Sequence, residues 1–291
     1  MKLLKFILMA CMFSFVSQSV IARGGDDDSS DDDSNASAQS EDDNNKGRRG
    51  RKGRKRRSGS CGDLPSHAEL KAALNASDAT GGSNGGFNLN MWGTIVNRDG
   101  FVCAVAFTGG DRGDQWPGSR VISAAKAYTA NAYSLPDLAL STANLYASGQ
   151  PGGSLWGLQF SNPVDTKSAY KGNPKRYGQS NDPMVGKKVG GQIVFGGGFA
   201  LYDSDGKLVG GLGVSGDTSC KDHNFGWRVR NELGLDFVPG GISGDGDRPD
   251  NIIYDMGPAS TGVVVSPSGF GHVECLEGDQ AISSGLPIVQ E

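Results

Sequence analysis

Two stretches of this chain are built alike, and together they constrain the fold more than anything else in it. Residues 91–107 read MWGTIVNRDGFVCAVAF and residues 199–216 read FALYDSDGKLVGGLGVSG. Each has an apolar run, an Asp-Gly pair (Asp99-Gly100, Asp205-Gly206) and a second apolar run. Asp-Gly suits the tight turn whose twist matches that of paired strands, so each stretch is predicted to be an antiparallel hairpin. That decides how the glycines after the second turn are read. Gly211, Gly213 and Gly216 spell G-x-G-x-x-G, and Asp236 lies about twenty residues on, which on paper is a dinucleotide fingerprint. A dinucleotide loop needs a parallel strand–helix–strand unit. Here the strand holding Leu208 and Val209 is predicted to pair antiparallel with the strand before it, so dinucleotide binding is set aside. The glycines are read instead as places where another backbone or a flat ligand comes close, or as a strand-to-helix turn.

Helices are expected after both hairpins and before the first. GSRVISAAKAYTANAYS, residues 118–134, is alanine-rich, with Ser119 near its start. The next runs from about Ser219 to Leu233, with Ser219–Asp222 as a capping box and Gly234 just past the end. At 100° per residue, Phe225, Val229 and Leu233 share one face, and Cys220, His223, Trp227 and Arg230 share the opposite one. PSHAELKAALNAS opens the domain at Pro65. Helix, hairpin, helix, hairpin, helix implies an α+β layered domain, an antiparallel β-sheet flanked by α-helices. A long loop-rich insertion spans about 135–191. It is too long for a plain loop and is expected to pack on the domain or on a neighbouring subunit. Residues 236–291 form a C-terminal extension.

The amino terminus has Lys2 and Lys5, an apolar stretch from Phe6 to about Val16, and Val20-Ile21-Ala22, the pattern of a signal peptide over 1–22 cleaved near Ala22. The rival is a lipoprotein signal at Leu8-Met9-Ala10-Cys11. The expected location is therefore secreted or periplasmic. Residues 23–60 hold nine acidic residues between 26 and 43, then nine basic ones between 46 and 57, with almost no apolar side chain. Such a segment is expected to be a disordered acidic-then-basic tether, with electrostatic attachment to an acidic surface as its functional reading. From Cys61 on the chain has 16 Lys/Arg against 23 Asp/Glu, an acidic balance that argues against nucleic acid as a partner.

Without the signal, four cysteines remain: Cys61, Cys103, Cys220 and Cys275. An even number in an exported chain favours disulfides. Three pairings exist. Cys61–Cys103 with Cys220–Cys275 is preferred, because each then ties a chain end to a nearby core element. No C-x-x-C pair supports zinc, and no C-x-x-C-H supports covalent haem. Gly213-Val214-Ser215-Gly216 lacks the spacing of a hydrolase nucleophile elbow. Asp245, Asp247 and Asp250 faintly resemble a metal loop, but glycine-rich turns use the same residues.

Three pieces, IVNRDGFVCAVAF, VISAAKAYTANAYS and DGKLVGGLGVSGDTSCKDHN, resemble the family of small haem-binding proteins that includes the streptomycete extracellular haem-binding sensor partner and the glycolate-operon accessory protein. The resemblance covers the framework from about Cys61 to Leu235. It implies a profilin-like sheet with flanking helices, self-assembly into a homo-oligomer, and non-covalent binding of haem or a related tetrapyrrole. The tether, the insertion, the extension and the cysteines depart from the family pattern.

Haem needs an apolar slot, an axial ligand and donors for its propionates. His223 is the candidate for the iron, with Trp227 one turn on as a stacking face; otherwise it is a helix histidine held near a disulfide. Gly213 and Gly216 would let a planar macrocycle lie close to backbone. Lys126 matches the family's helix lysine and would meet a propionate or cap a neighbouring strand. His272 would approach His223 if Cys275 bonds Cys220, making a two-histidine site. His67, in the first turn of a helix, has a polar role as its commoner reading. The functional expectation is a secreted haem-binding protein for sequestration or sensing. The alternatives are an assembly protein of the same fold without haem and, more weakly, a tetrapyrrole-modifying enzyme.

Overall fold

The structure, a computed structural model, describes residues 61–79, 81–257 and 265–291. The signal peptide and the charged tether fall outside the described residues. Trp92–Asn97 (β1) and Val102–Phe107 (β2) form the first hairpin, and Gly198–Tyr202 (β3) and Leu208–Ser215 (β4) the second. The two turns are made in one way. Asn97 Oδ1 accepts from Asp99 N (3.1 Å) and Phe101 N (2.9 Å), and Asp203 Oδ1 accepts from Asp205 N (3.1 Å) and Lys207 N (2.9 Å). β1 also pairs antiparallel with β4, Ile95 opposite Leu212, so the sheet order is β2-β1-β4-β3.

His67–Asp78 (α1) and Ser219–Glu232 (α3) cover one face of the sheet, and Ser119–Tyr133 (α2) covers the other. The alternation of the strands, interrupted by a bulge where β1 pairs with the start of β2, divides the core between them. Ile95, Ala104, Ala106, Leu212 and Val214 pack with Leu70 and Leu74 of α1 and Phe225 and Val229 of α3. Trp92, Val96, Val102 and Val105 pack with Val121, Ala124 and Ala127 of α2. This is the α+β layered domain expected from the hairpins.

The insertion over 135–191 is mostly turns and single helical turns, and it packs on its own domain. Arg120 of α2 is its anchor. The fully buried guanidinium pairs in bidentate fashion with Asp182, donates to Ala169 O (2.8 Å) and lies 3.6 Å over the Tyr177 ring. Both expected disulfides form: Cys61–Cys103 fastens the segment before α1 to β2, and Cys220–Cys275 fastens the C-terminal extension to α3. Loops of 42 and 55 residues correspond to about 4 kcal/mol each on the chain-entropy account. Among the described residues no helix is long and apolar enough to cross a membrane.

Candidate functional site

The glycines of the G-x-G-x-x-G run sit where backbones meet. A Cβ on Gly213 would lie 2.0 Å from Ser123 O and 2.4 Å from Ala127 N, because α2 rests directly on β4. A Cβ on Gly216 would lie 2.4 Å from Asn90 O. Protein therefore occupies the space that the sequence reading gave to a macrocycle at Gly213 and Gly216. The neighbour is helix backbone at the first and the chain entering β1 at the second. Asp236, the would-be ribose ligand, instead accepts from Asn231 Nδ2 (2.8 Å) and Gln290 Nε2 (2.6 Å).

Lys126 is turned inward and has no exposed surface. Its ammonium lies 2.6 Å from Asp222 Oδ2 and donates to Val214 O (3.1 Å), which is the strand-capping alternative rather than the propionate contact. Asp222 in turn accepts from Gly216 N (3.1 Å) and Asp217 N (3.0 Å). Burial raises the Asp222 carboxyl to about 6 and lowers the Lys126 ammonium, and each partner pulls the other back. The cap of α3 is thus one residue earlier than expected. Thr218 accepts from Lys221 N (3.2 Å), and the aspartate assigned to a capping box holds the β4–α3 turn to α2.

His223 and Trp227 lie on the face of α3 away from Phe225 and Val229, as their spacing requires, and both are buried. His223 Nε2 lies 3.0 Å from Asn251 Oδ1, which also accepts from Ile252 N (2.9 Å). Nε2 also lies 3.1 Å from Ile252 N, which donates toward it, so this ring nitrogen sits between one acceptor and one donor; Nδ1 is buried with no hydrogen-bond partner. The ring is flanked by Phe199 at 4.8 Å and Trp227 at 6.1 Å. Trp227 donates to Pro287 O (2.9 Å). Burial pushes the His223 pKa down to about 3, with the Asn251 bond opposing and the charges of His272, Arg230 and Lys126 adding to the fall. The neutral imidazole is chemically fit for iron. The space is not fit for a macrocycle, because Asn251 and Ile252 of the C-terminal extension close the imidazole off completely.

The Cys220–Cys275 bond brings the segment carrying His272 to the first turn of α3. Its Nδ1 donates to Val273 O (2.6 Å), Tyr146 stacks on the ring at 4.3 Å, and Nε2 is buried with no partner. Desolvation brings its pKa down to about 4. His67 takes the polar role, its Nε2 2.9 Å from Gly178 O. Asp250 belongs to no metal loop; it makes a two-pronged pair with Arg230 at 2.7 and 2.8 Å, both side chains fully buried. Sequence reasoning read Asp222 only as a capping residue and missed Asp217, whose carboxylate accepts from Phe87 N (2.9 Å) and Leu89 N (2.9 Å), because a carboxylate aimed at backbone N–H groups leaves no periodic signal. It missed Tyr146 because the insertion has no pattern. Outside this buried cluster, an open hollow of about 190 Å³ is lined by Tyr146, Trp156, Phe160, Val194 and Phe195, with Trp156 and Phe160 exposed and edge to face at 5.7 Å.

The model of a family described as haem degrading protein HbpS-like matches residues 68–228, from α1 into α3. Among solved structures, a PduOC:haem complex is similar at 21% identity and a TM-score of 0.40, covering 59% of this chain and 94% of the other. A Klebsiella pneumoniae protein, ORFY, is similar at 20% identity and a TM-score of 0.39, covering 58% of this chain and 90% of the other. No curated protein matches.

Proposed function

The chain belongs to the haem-degrading HbpS-like family, and from that premise we propose that it is an exported haem-handling protein that binds haem non-covalently, for sequestration or sensing. The observation that carries the reading is the span of the family match, which takes in both hairpins, Lys126 and the two site residues His223 and Trp227. Export is supported by the amino-terminal pattern and by two disulfides, which persist in oxidising compartments. His223 remains the proposed iron ligand, through its neutral imidazole. Haem binding at His223 would require the segment at Asn251 and Ile252 to lift from the ring. When bound, haem supplies the iron chemistry. The protein's part is the neutral His223 imidazole and an aromatic wall from Phe199 and Trp227.

The complete closure of His223 favours a second reading, an assembly protein that keeps the fold without haem. Hemin titration of the mature oxidised protein separates the two. Saturable binding with a Soret band is expected, and His223→Ala is expected to shift the band and weaken binding about tenfold or more. An unchanged spectrum in His223→Ala removes that residue as ligand. Absence of saturable binding by the wild type leaves the assembly reading, which sedimentation of the same sample tests as a homo-oligomer. Bleaching of the band under reductant, catalytic in protein, would instead assign the chain to tetrapyrrole breakdown.

A further inference from the structure

The Cys220–Cys275 disulfide has a neighbour that a purely structural staple does not need. Cys220 is fully buried in the first turn of α3, and Cys275 comes from the C-terminal extension. A ring nitrogen of His272 and the two sulfurs all lie within 4.8 Å of one another. The imidazole is held in place: Nδ1 donates to Val273 O, and Tyr146 stacks on the ring. That hydrogen bond fixes Nε2 as the unprotonated nitrogen, and Nε2 is buried without a partner. A buried polar atom left unsatisfied costs about 1–3 kcal/mol, and an ion at the site is one of the few reasons for a protein to keep one. Two thiolates and one imidazole are a donor set for zinc.

We propose that reduction of Cys220–Cys275 converts this cluster into a metal site for a thiophilic divalent cation of the zinc class, held by Cys220 Sγ, Cys275 Sγ and the His272 imidazole. Three protein ligands leave the fourth tetrahedral position open for water or an added ligand. The chemistry balances with a dithiol as reductant. The S–S bond takes two electrons and two protons from the dithiol, which becomes a disulfide. The two thiols then release their protons as they bind the cation as thiolates. The oxidised protein has no thiolate at this place and holds no metal there. The sequence concealed the site because its ligands are not a C-x-x-C pair. They are the first turn of a helix and a His272-x-x-Cys275 element from the extension, brought together only by the fold.

The test uses the mature chain with Co²⁺ and Zn²⁺ alone as probes and a phosphine as reductant, since added thiols would compete for metal. Thiolate-to-cobalt charge-transfer absorption is expected on reduction and not in the oxidised protein, and zinc is expected to displace it. His272→Ala leaves the disulfide intact in the oxidised chain and is expected to weaken cobalt binding in the reduced chain by about tenfold or more. Cys61→Ser/Cys103→Ser is expected to keep the signal, and Cys275→Ser to lose it. The proposal is overturned if the reduced wild type shows no such absorption, if His272→Ala binds as tightly as wild type, or if the signal survives Cys275→Ser. Reduction by itself threatens the fold, so circular dichroism is followed with zinc added before the reductant. Zinc is expected to keep the reduced chain folded. Equal unfolding with and without zinc overturns the proposal as well.

Discussion

The two faces of α3 are buried to the same degree by opposite means. On one, Phe225 and Val229 sink into an apolar cluster with Leu70 and Leu74 of α1 and Ile95, Leu212 and Val214 of the sheet. On the other, Cys220, His223, Trp227 and Arg230 lie under a C-terminal extension whose regular structure, among the described residues, is one short helix, Asp279–Ser284 (α4). The contacts there are directed. Asp250 pairs with Arg230, Asn251 meets His223 and donates to Ser283 O (3.0 Å), Trp227 donates to Pro287 O, and a disulfide closes the set. The first face is held by non-directional apolar burial, which accepts any side chain of the right volume. The second is held by pairs, each of which depends on both members.

Single substitutions expose that difference, and the largest effect is expected on the apolar face. Phe225→Ala removes a fully buried ring and leaves a cavity; about 4 kcal/mol should be lost in urea unfolding, with the whole domain melting as one. Asp250→Ala should cost about 3 kcal/mol for another reason, because it strands the fully buried Arg230 guanidinium. The two losses part company in the double variant. Arg230→Met with Asp250→Leu should recover most of the loss, since apolar residues of similar volume replace the pair. No single partner change can do the same for Phe225→Ala. A cost below about 1 kcal/mol for Asp250→Ala would mean that the extension is held elsewhere, and the contrast between the faces would fail.

The same difference explains what was legible in the sequence. The hairpins, three helices and sheet layering followed from the Asp-Gly turns and from the 100° spacing of Phe225, Val229 and Leu233, which are local or periodic signals; the even cysteine count implied disulfides, and the pairing that forms is the one that ties each chain end to a nearby core element. The face carrying His223 and Trp227 was legible too, as a face. Its surroundings were not. Nothing near Asn251 in the sequence announces that its side chain closes the His223 imidazole, 28 residues away along the chain. Gly213 was legible as a place of close approach, but whether helix or ligand approaches depends on where α2 lands. In sequence terms Lys126 suits either a propionate or a strand end, and in the fold it pairs with the buried Asp222 carboxylate and donates to Val214 O of β4.

The smallest effect expected is with pH, and it belongs to the polar face. Unfolded histidine titrates near 6.5. Folded His223 and His272 titrate near 3 and 4, both because burial penalises the imidazolium. Between those values the unfolded chain binds protons that the folded chain refuses, so stability is fully present above about pH 6.5 and is lost as pH falls toward 4. From pH 7 to 5 each histidine accounts for about 2 kcal/mol of loss. Asp222 works against them. Its folded carboxyl, raised to about 6, binds a proton before the unfolded one does, and it returns about 1 kcal/mol over the same interval. Urea unfolding at pH 7 and pH 5 should therefore differ by about 2–3 kcal/mol, and His272→Gln should remove most of that difference by deleting one of the two losses. A stability unchanged across that interval, or a difference untouched by His272→Gln, would show that protons reach these imidazoles without opening the fold. The extension would then be a looser cover than its contacts describe.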